Sequence, residues 1–494
     1  MADLFNSLIE YMTFSHIMVF IYILNTIISL GLIFVDTNKS ASAIMAWIMI
    51  LYILPAVGLF MYLILSQNIA RMKIFRMTAD EEAGLGTLLE WQKEAVRKGI
   101  SDNPEDETYK WRNMIMLNLD YADSLLIDCK DIELIYDGRE MFDRLLEDIR
   151  NAKYTIKLCY YIIRDDDTGK ELIDLLTRKA QEGVKVRLLI DALGSRSIGY
   201  SELRAFKKAG GRYAYFFKPL IRHMYFRINY RNHRKLAVID NETGYIGGFN
   251  IADEYLGKSK KFGYWRDTQL IIKGNVIAAL NERFYQDWRY ASKEKLDIVE
   301  QSIKYAYKSD LGRIPVQIVS CGPESDKEEI KRSMMKMITG ARESIYIQTP
   351  YLVPDTPMLD SLAMAARSGI DVRIMIPAMP DHPFVYRTTL YNAGKLIKEG
   401  AHIYIYMNGF LHAKTLTVDG EVCTAGSCNF DIRSFRLNFE SNAFIYDRGV
   451  AGRMNAQFEE DMKLSREYTQ EDRDNISLYE RMAESISRLL TEIL

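Results

Sequence analysis

Two uncharged runs open the chain. No Asp, Glu, Lys or Arg occurs between Glu10 and Asp36, and none between Lys39 and Arg71. Each run exceeds the roughly 20 residues that a spanning helix needs. The pattern predicts spans over 14–35 and 42–65, joined by the short loop Asp36-Thr37-Asn38-Lys39. Pro55 and Gly58 fall inside the second, where packing against a neighbour can tolerate them. No basic segment precedes the first run and a second apolar run follows at once, so it reads as an anchor and not a cleaved signal. Residues 71–130 are mixed and charged, with Asp-Asn-Pro-Glu-Asp-Glu at 102–107, and read as a linker carrying one or two surface helices.

Beyond 130 the periodicity alternates. Strands are predicted over Lys153–Ile163, Val184–Ala192 and Gly211–Phe217, from their β-branched and aromatic content. Helical spacing of apolar residues marks Glu171–Gln181 and Ser201–Ala209. The same order returns: strand Ser344–Val353, helix Met358–Arg367, strand Ile370–Ala378, helix Val385–Glu399, strand His402–Met407. A repeat this long is a duplicated domain and not a solenoid. Alternating strands and helices imply an α/β sandwich. The predicted division is a transmembrane hairpin over 1–70, the linker, α/β domains over 131–310 and 311–450, and a helical tail over 451–494.

Each half carries His-x-Lys-x4-Asp: His233, Lys235 and Asp240, then His412, Lys414 and Asp419. The same trailer follows both, Gly247, Gly248 and Asn250 in the first and Gly426, Ser427 and Asn429 in the second. Only six His occur in 494 residues, and the other four have no repeat partner. Lys235–Ile239 and Lys414–Val418 read as strands, so His and Lys two apart point to one face. Asp240 and Asp419, an odd number further on, are expected to point away and hold backbone or a basic partner. Imidazole exchanges protons, or attacks phosphorus, near neutral pH. Two imidazoles, two ammonium groups and two amides together suit a phosphodiester. The glycines allow either a turn or close backbone approach to a phosphate.

Composition adds three points. Formal charge is −2, which by itself implies no polyanion partner. The five Cys are scattered and form no C-x-x-C pair, so they read as free thiols, with Cys423 and Cys428 as small packing residues. From Leu203 to Ile239 there is no acid but ten Lys or Arg, interleaved with aromatics, and 220–232 has no counterpart before the second motif. Such a segment suits docking on anionic lipid headgroups. No metal-ligand spacing is visible, so neither a metal nor another cofactor is expected.

The phrases HRKLAVIDNETGYIGGFN and HAKTLTVDGEVCTAGSCNFDIRSF resemble the paired HKD motifs of the phospholipase D superfamily. The apolar hairpin, GYWRDTQLIIKG (263–274) and TPYLVPD (349–355) resemble its bacterial cardiolipin synthase branch. The resemblance implies two tandem domains with the active site at their pseudo-two-fold interface. It implies His233 as nucleophile forming a phosphohistidine, and His412 as acid and base. The Lys and Asn would meet the phosphate oxygens. It implies a carboxylate some 25–35 residues downstream of each His, which points to Asp267 for His233 and Glu440 for His412. The implied reaction joins two phosphatidylglycerols into cardiolipin and glycerol; the alternative is a membrane phosphodiesterase using water. The implied partners are these lipids and the bilayer, with no nucleic acid. Arg71, Lys73 and Arg76 after the second run, against one Lys in the loop, place the catalytic domains on the cytoplasmic side of a multi-pass protein in the bacterial inner membrane. Oligomeric state is left open.

Overall fold

A computed structural model describes residues 14–34, 41–65, 74–75, 77–99, 103, 106–218, 229–294 and 314–491. Seventeen strands are present among them. In the first half they are β1 (Leu126–Asp137), β2 (Thr155–Tyr160), β3 (Lys185–Asp191), β4 (Arg212–Phe216), β5 (Arg231–Asn232), β6 (Leu236–Ile239), β7 (Thr243–Gly247) and β8 (Trp265–Gly274). In the second they are β9 (Ile314–Cys321), β10 (Ser344–Gln348), β11 (Asp371–Pro377), β12 (His402–Tyr406), β13 (Phe410–Leu411), β14 (Thr415–Val418), β15 (Val422–Gly426), β16 (Asn438–Ile445) and β17 (Ser465–Tyr468).

The first half is ordered β4-β3-β2-β6-β7-β8-β1. The second runs β9-β16-β15-β14-β10-β11-β12-β17. Strands β2, β3 and β4 are parallel, as are β10, β11 and β12, and β1 joins β9 antiparallel. Two short parallel pairings cross between the halves: β5 lies against β16, and β13 against β8. These crossings place the start of each motif against the other half. Central strands are buried on both faces, and Leu158, Leu188, Leu270, Ile272, Ile347 and Ile374 have no exposed surface. Each such side chain contributes roughly 1.5–3 kcal/mol by leaving water. One apolar cluster runs through both halves and a second fills the first half.

The expected linker is part of this body. Helix α4 (Ala79–Lys98) starts at a Thr78–Glu81 capping box, and α5 (Arg112–Tyr121) is buried along Met114, Ile115 and Leu119. Gln92 donates to the Leu126 carbonyl at 2.7 Å and accepts from the Leu126 amide at 2.8 Å, which ties α4 to β1. The second half also extends past 450: helix Arg448–Lys463 packs under it and β17 pairs with β12. The tail proper is the amphipathic helix Leu478–Thr491, joined back by Arg473 and Glu484 at 2.6 and 2.9 Å.

The apolar N-terminus departs from the expected hairpin. Helix α1 (Phe14–Phe34) is the one helix among the described residues long and apolar enough to cross a membrane. The expected span over 42–65 is two helices, α2 (Ala41–Ile53) and α3 (Pro55–Leu65). Pro55 has no N–H to donate to the Leu51 carbonyl, so the helix breaks there. Asn25 of α1 donates to that carbonyl at 2.6 Å and to the Pro55 carbonyl at 3.2 Å. The chain then folds back, bringing the Trp47 and Tyr62 rings to 5.4 Å; fifteen residues of straight helix would separate them by about 22 Å. Gly58 permits the fold, because a Cβ there would sit 2.5 Å from the Ile50 carbonyl oxygen. The connecting loop, the basic residues 71, 73 and 76, and residues 219–228 of the basic segment lie outside the described residues.

Candidate active site

Each motif histidine follows a two-residue strand held by the opposite half. The His233 amide donates to the Phe439 carbonyl at 3.0 Å, and the His412 amide to the Arg266 carbonyl at 2.7 Å. The next residues along those supporting strands are Glu440 and Asp267. His233 Nδ1 lies 2.9 and 3.1 Å from the two oxygens of Glu440, and His412 Nδ1 donates to Asp267 at 2.5 Å. The carboxylates therefore serve the histidine of the other half, the reverse of the expected assignment. The cause is the β5–β16 and β13–β8 crossings, which sequence distance does not report. With Nδ1 engaged, Nε2 is left as the reacting atom of each ring.

Lys235 and Lys414 lie on the same faces as the histidines and are buried. Lys235 donates to the His233 carbonyl at 2.6 Å. Lys414 donates to the His412 carbonyl, and its Nζ lies 2.9 Å from His412 Nδ1 and 3.8 Å from Asp267. Burial pushes Lys235 down to about 7, with Lys414 adding to the fall, and burial lowers Lys414 as well. Burial likewise lowers both imidazoles, His412 to about 4 with Lys414 adding to the fall. Burial works to raise Asp267 and Glu440, but their lysine and histidine neighbours outweigh it and hold both below the usual carboxylate range. The shifts thus favour neutral imidazoles and ionised carboxylates, and destabilise both ammonium groups. Such a site gains from an incoming anion.

The surroundings of the two histidines differ. His233 lies against Tyr161, with ring centres 4.8 Å apart and the planes tilted by 60°. His412 is ringed by Trp265, Phe410 and Tyr255 at 5.2, 6.0 and 6.4 Å. No role at the site was read for these aromatics in the sequence; Trp265 opens β8 and Tyr161 follows β2, strands whose patterning signals only burial.

The remaining expected residues are used in other ways. Asp240 accepts from the amides of Lys153, Tyr154 and Thr155 at 2.7–2.8 Å, and Asp419 from those of Arg342, Glu343 and Ser344 at 2.8–2.9 Å. Each occupies a left-handed turn, φ 51° and 54°, and ties it to the start of the neighbouring strand. They hold backbone and do not join the catalytic groups. Asn250 accepts from the Ile162 amide at 3.1 Å and donates to the Tyr255 hydroxyl at 2.9 Å. In the second half Thr349 takes the corresponding amide, so buried Asn429 leaves its Oδ1 without a partner among the described residues.

The glycines make room for protein. A Cβ on Gly248 would fall 2.0 Å from the Asp267 carboxylate, one on Gly247 2.5 Å from the Thr268 carbonyl oxygen, and one on Gly426 2.3 Å from Ser441. Ser427 donates to the Ser441 carbonyl at 3.4 Å and accepts from its amide at 3.0 Å. The space expected to admit a phosphate at these four positions is filled by strands β8 and β16. No cluster of three or more His, Cys, Asp or Glu suited to a metal ion occurs among the described residues.

A family model described as "Cardiolipin synthase, PLD-like domain" matches residues 145–288 and 334–462, one segment on each half. The chain belongs to this family, the bacterial cardiolipin synthases of the phospholipase D superfamily. Among curated relatives, Cardiolipin synthase 2 of Staphylococcus epidermidis is 44% identical, covering 96% of this chain and 96% of its own. The Major cardiolipin synthase ClsA of Bacillus subtilis is 43% identical over 96% and 98%, and the Cardiolipin synthase of Listeria monocytogenes 43% over 97% and 99%. A solved phosphatidylserine synthase from Haemophilus influenzae shares the fold: TM-score 0.61 at 15% identity, covering 77% of this chain and all of the other.

Proposed function

We propose that the protein is a phosphatidyltransferase that joins two phosphatidylglycerols into cardiolipin and releases glycerol. The observation that carries this reading is the pair of buried His–carboxylate dyads with their lysines, on a chain whose relatives carry that name across nearly their whole length. One imidazole attacks phosphorus and the other protonates the departing glycerol oxygen. The acceptor hydroxyl then loses its proton to the second imidazole and displaces the first. The covalent intermediate divides a transfer between two large lipids into two simpler steps. Following the usual order of the superfamily, His233 attacks and His412 moves protons. Lys235 and Lys414 stabilise charge on the non-bridging oxygens. The bound phosphate in turn stabilises their charged forms and offsets the Lys414 repulsion that adds to burial in holding His412 low. The unpartnered Asn429 oxygen is an acceptor for a glycerol hydroxyl.

Helix α1 would cross the bilayer, with α2 and α3 packed beside it in place of a second straight pass. Arg71, Lys73 and Arg76 favour a cytoplasmic catalytic body. The test is pure protein in mixed micelles with phosphatidylglycerol, products identified by mass. Cardiolipin with equimolar glycerol is expected; phosphatidic acid without cardiolipin would make it a hydrolase, and no turnover a lipid-binding protein.

A further inference from the structure

Ile74 and Phe75 are the first described residues after α3, and both enter the catalytic body. The Phe75 ring lies 5.8 Å from Phe439 and 6.2 Å from Tyr290. The guanidinium carbons of Arg283 and Arg234 stand 4.1 and 6.0 Å from its centre. Phe439 immediately precedes Glu440, and Arg234 immediately follows His233. Phe75 therefore touches the neighbours in sequence of both members of one catalytic dyad.

Those neighbours form one frame. Arg234 has no exposed surface and donates to the Glu440 carbonyl at 3.1 Å, the Ser441 hydroxyl at 3.0 Å and the Cys321 carbonyl at 3.0 Å. It also spans both oxygens of buried Asp287 at 2.9 and 3.1 Å, and Arg283 reaches the same carboxylate at 2.6 Å. Its counterpart in the second motif is Ala413; on that side buried Arg266, beside Asp267, pairs with Asp461 at 2.8 and 2.9 Å. Phe75 covers this network, and an ion pair kept from water is stronger and more rigid than a wet one. Phe216 and Phe217, at the root of the basic segment, reach Phe439 from another direction at 5.0 and 5.7 Å. The segment that follows the apolar N-terminus and the root of the basic segment thus converge on the residue beside Glu440.

We propose that Phe75 is a positioning residue for the Glu440–His233 dyad, so that the membrane-proximal segment is a structural part of the active site and not a passive tether. The proposal rests on His233 taking part in the transfer. Phe75 touches no substrate; it holds the frame that aims the imidazole. Loss of the ring admits water to Arg234 and loosens β16. The dyad then drifts, and the burial that keeps His233 low is relieved.

The test uses the full-length enzyme in mixed micelles, so that substrate delivery does not depend on bilayer insertion. Phe75→Ala is expected to lower kcat roughly 10–100-fold, the scale of a small misplacement of a reacting group, with KM unchanged. Burial is the larger influence on His233, so its relief outweighs the weakened Glu440 contact and the limb of the pH profile governed by His233 should move to higher pH. Phe75→Leu, which restores most of the volume, should recover most of the rate. Leu119→Ala, a cavity at a fully buried side chain of α5, controls for general destabilisation and should keep the kcat of folded enzyme. Wild-type kcat and pH profile in Phe75→Ala would overturn the proposal. So would a loss that matches Leu119→Ala and tracks the folded fraction. If the wild type itself made no cardiolipin, the reaction reading would fall first and this proposal with it.

Discussion

His233 and His412 occupy equivalent positions, yet each is served by a carboxylate 207 or 145 residues away in the other half. Replacing either His with Ala should lower turnover by about 10²–10⁴ or more, since each removes a chemical role, while thermal stability changes little. Retention of a tenth of the activity by either variant would defeat a two-histidine mechanism. Trapping resolves the roles: acid-labile, base-stable label on His233 in the His412→Ala background is expected, and label on His412 in the reciprocal variant would reverse the assignment. The crossed dyads make a sharper prediction. Glu440 raises His233, so Glu440→Gln should shift the His233 limb of the pH–rate profile downward and leave the His412 limb in place. Asp267→Asn should do the opposite pair of things. If each carboxylate instead governed the histidine of its own half, the two profiles would exchange. Lys235 near 7 adds a further expectation: its charge in the free enzyme fades as pH rises through neutrality, so KM should climb above about pH 7.

Strand parity carried much of the element-level reading. It set His and Lys on one face and sent Asp240 and Asp419 to the turns, where each gathers three backbone amides. Asp240→Ala should therefore cost about 2–4 kcal/mol of stability, from the loss of several charge-assisted hydrogen bonds at a strained turn, with kcat of the folded fraction nearly kept. Unfolding followed by circular dichroism beside active-site titration separates the two; a lost kcat at full stability would return Asp240 to the chemistry. Other features were not legible. Strands β8 and β16 are buried on both faces, so their runs lack the alternation that marks a half-exposed strand. The pairing of Asp267 with His412 follows from β13 lying on β8, a contact with no local signal. The break at Pro55 was visible as a residue, but its consequence depended on Asn25 in another helix completing the freed carbonyl. The glycines were legible as places lacking a side chain, and the occupant of that space was not.

At the scale of the whole molecule, duplication explains why one site serves two lipids. Each half contributes an imidazole, a lysine and the carboxylate that orients the other half's imidazole, so neither half is complete alone. The site thus joins two similar phosphodiesters, and the energetics of that exchange give the last prediction. Transfer breaks one phosphodiester bond to a primary glycerol hydroxyl and forms another of the same kind. The two bond energies therefore nearly cancel, and the equilibrium constant should lie near unity. Mass action then sets direction. With labelled cardiolipin and molar glycerol, the pure enzyme should return labelled phosphatidylglycerol through the same intermediate. Water competes at far higher concentration, so the outcome depends on how the site treats the proposed phosphohistidine. A bound alcohol held against the second imidazole has a large effective concentration. Trp265, Phe410 and Tyr255 wall the His412 side with aromatic rings. Phosphatidylglycerol should therefore dominate over phosphatidic acid. Trp265→Ala should open the wall and raise the phosphatidic acid fraction without abolishing turnover. Label appearing almost wholly as phosphatidic acid in the wild type would mean that the cleft admits water freely, and the transferase reading would fail with it.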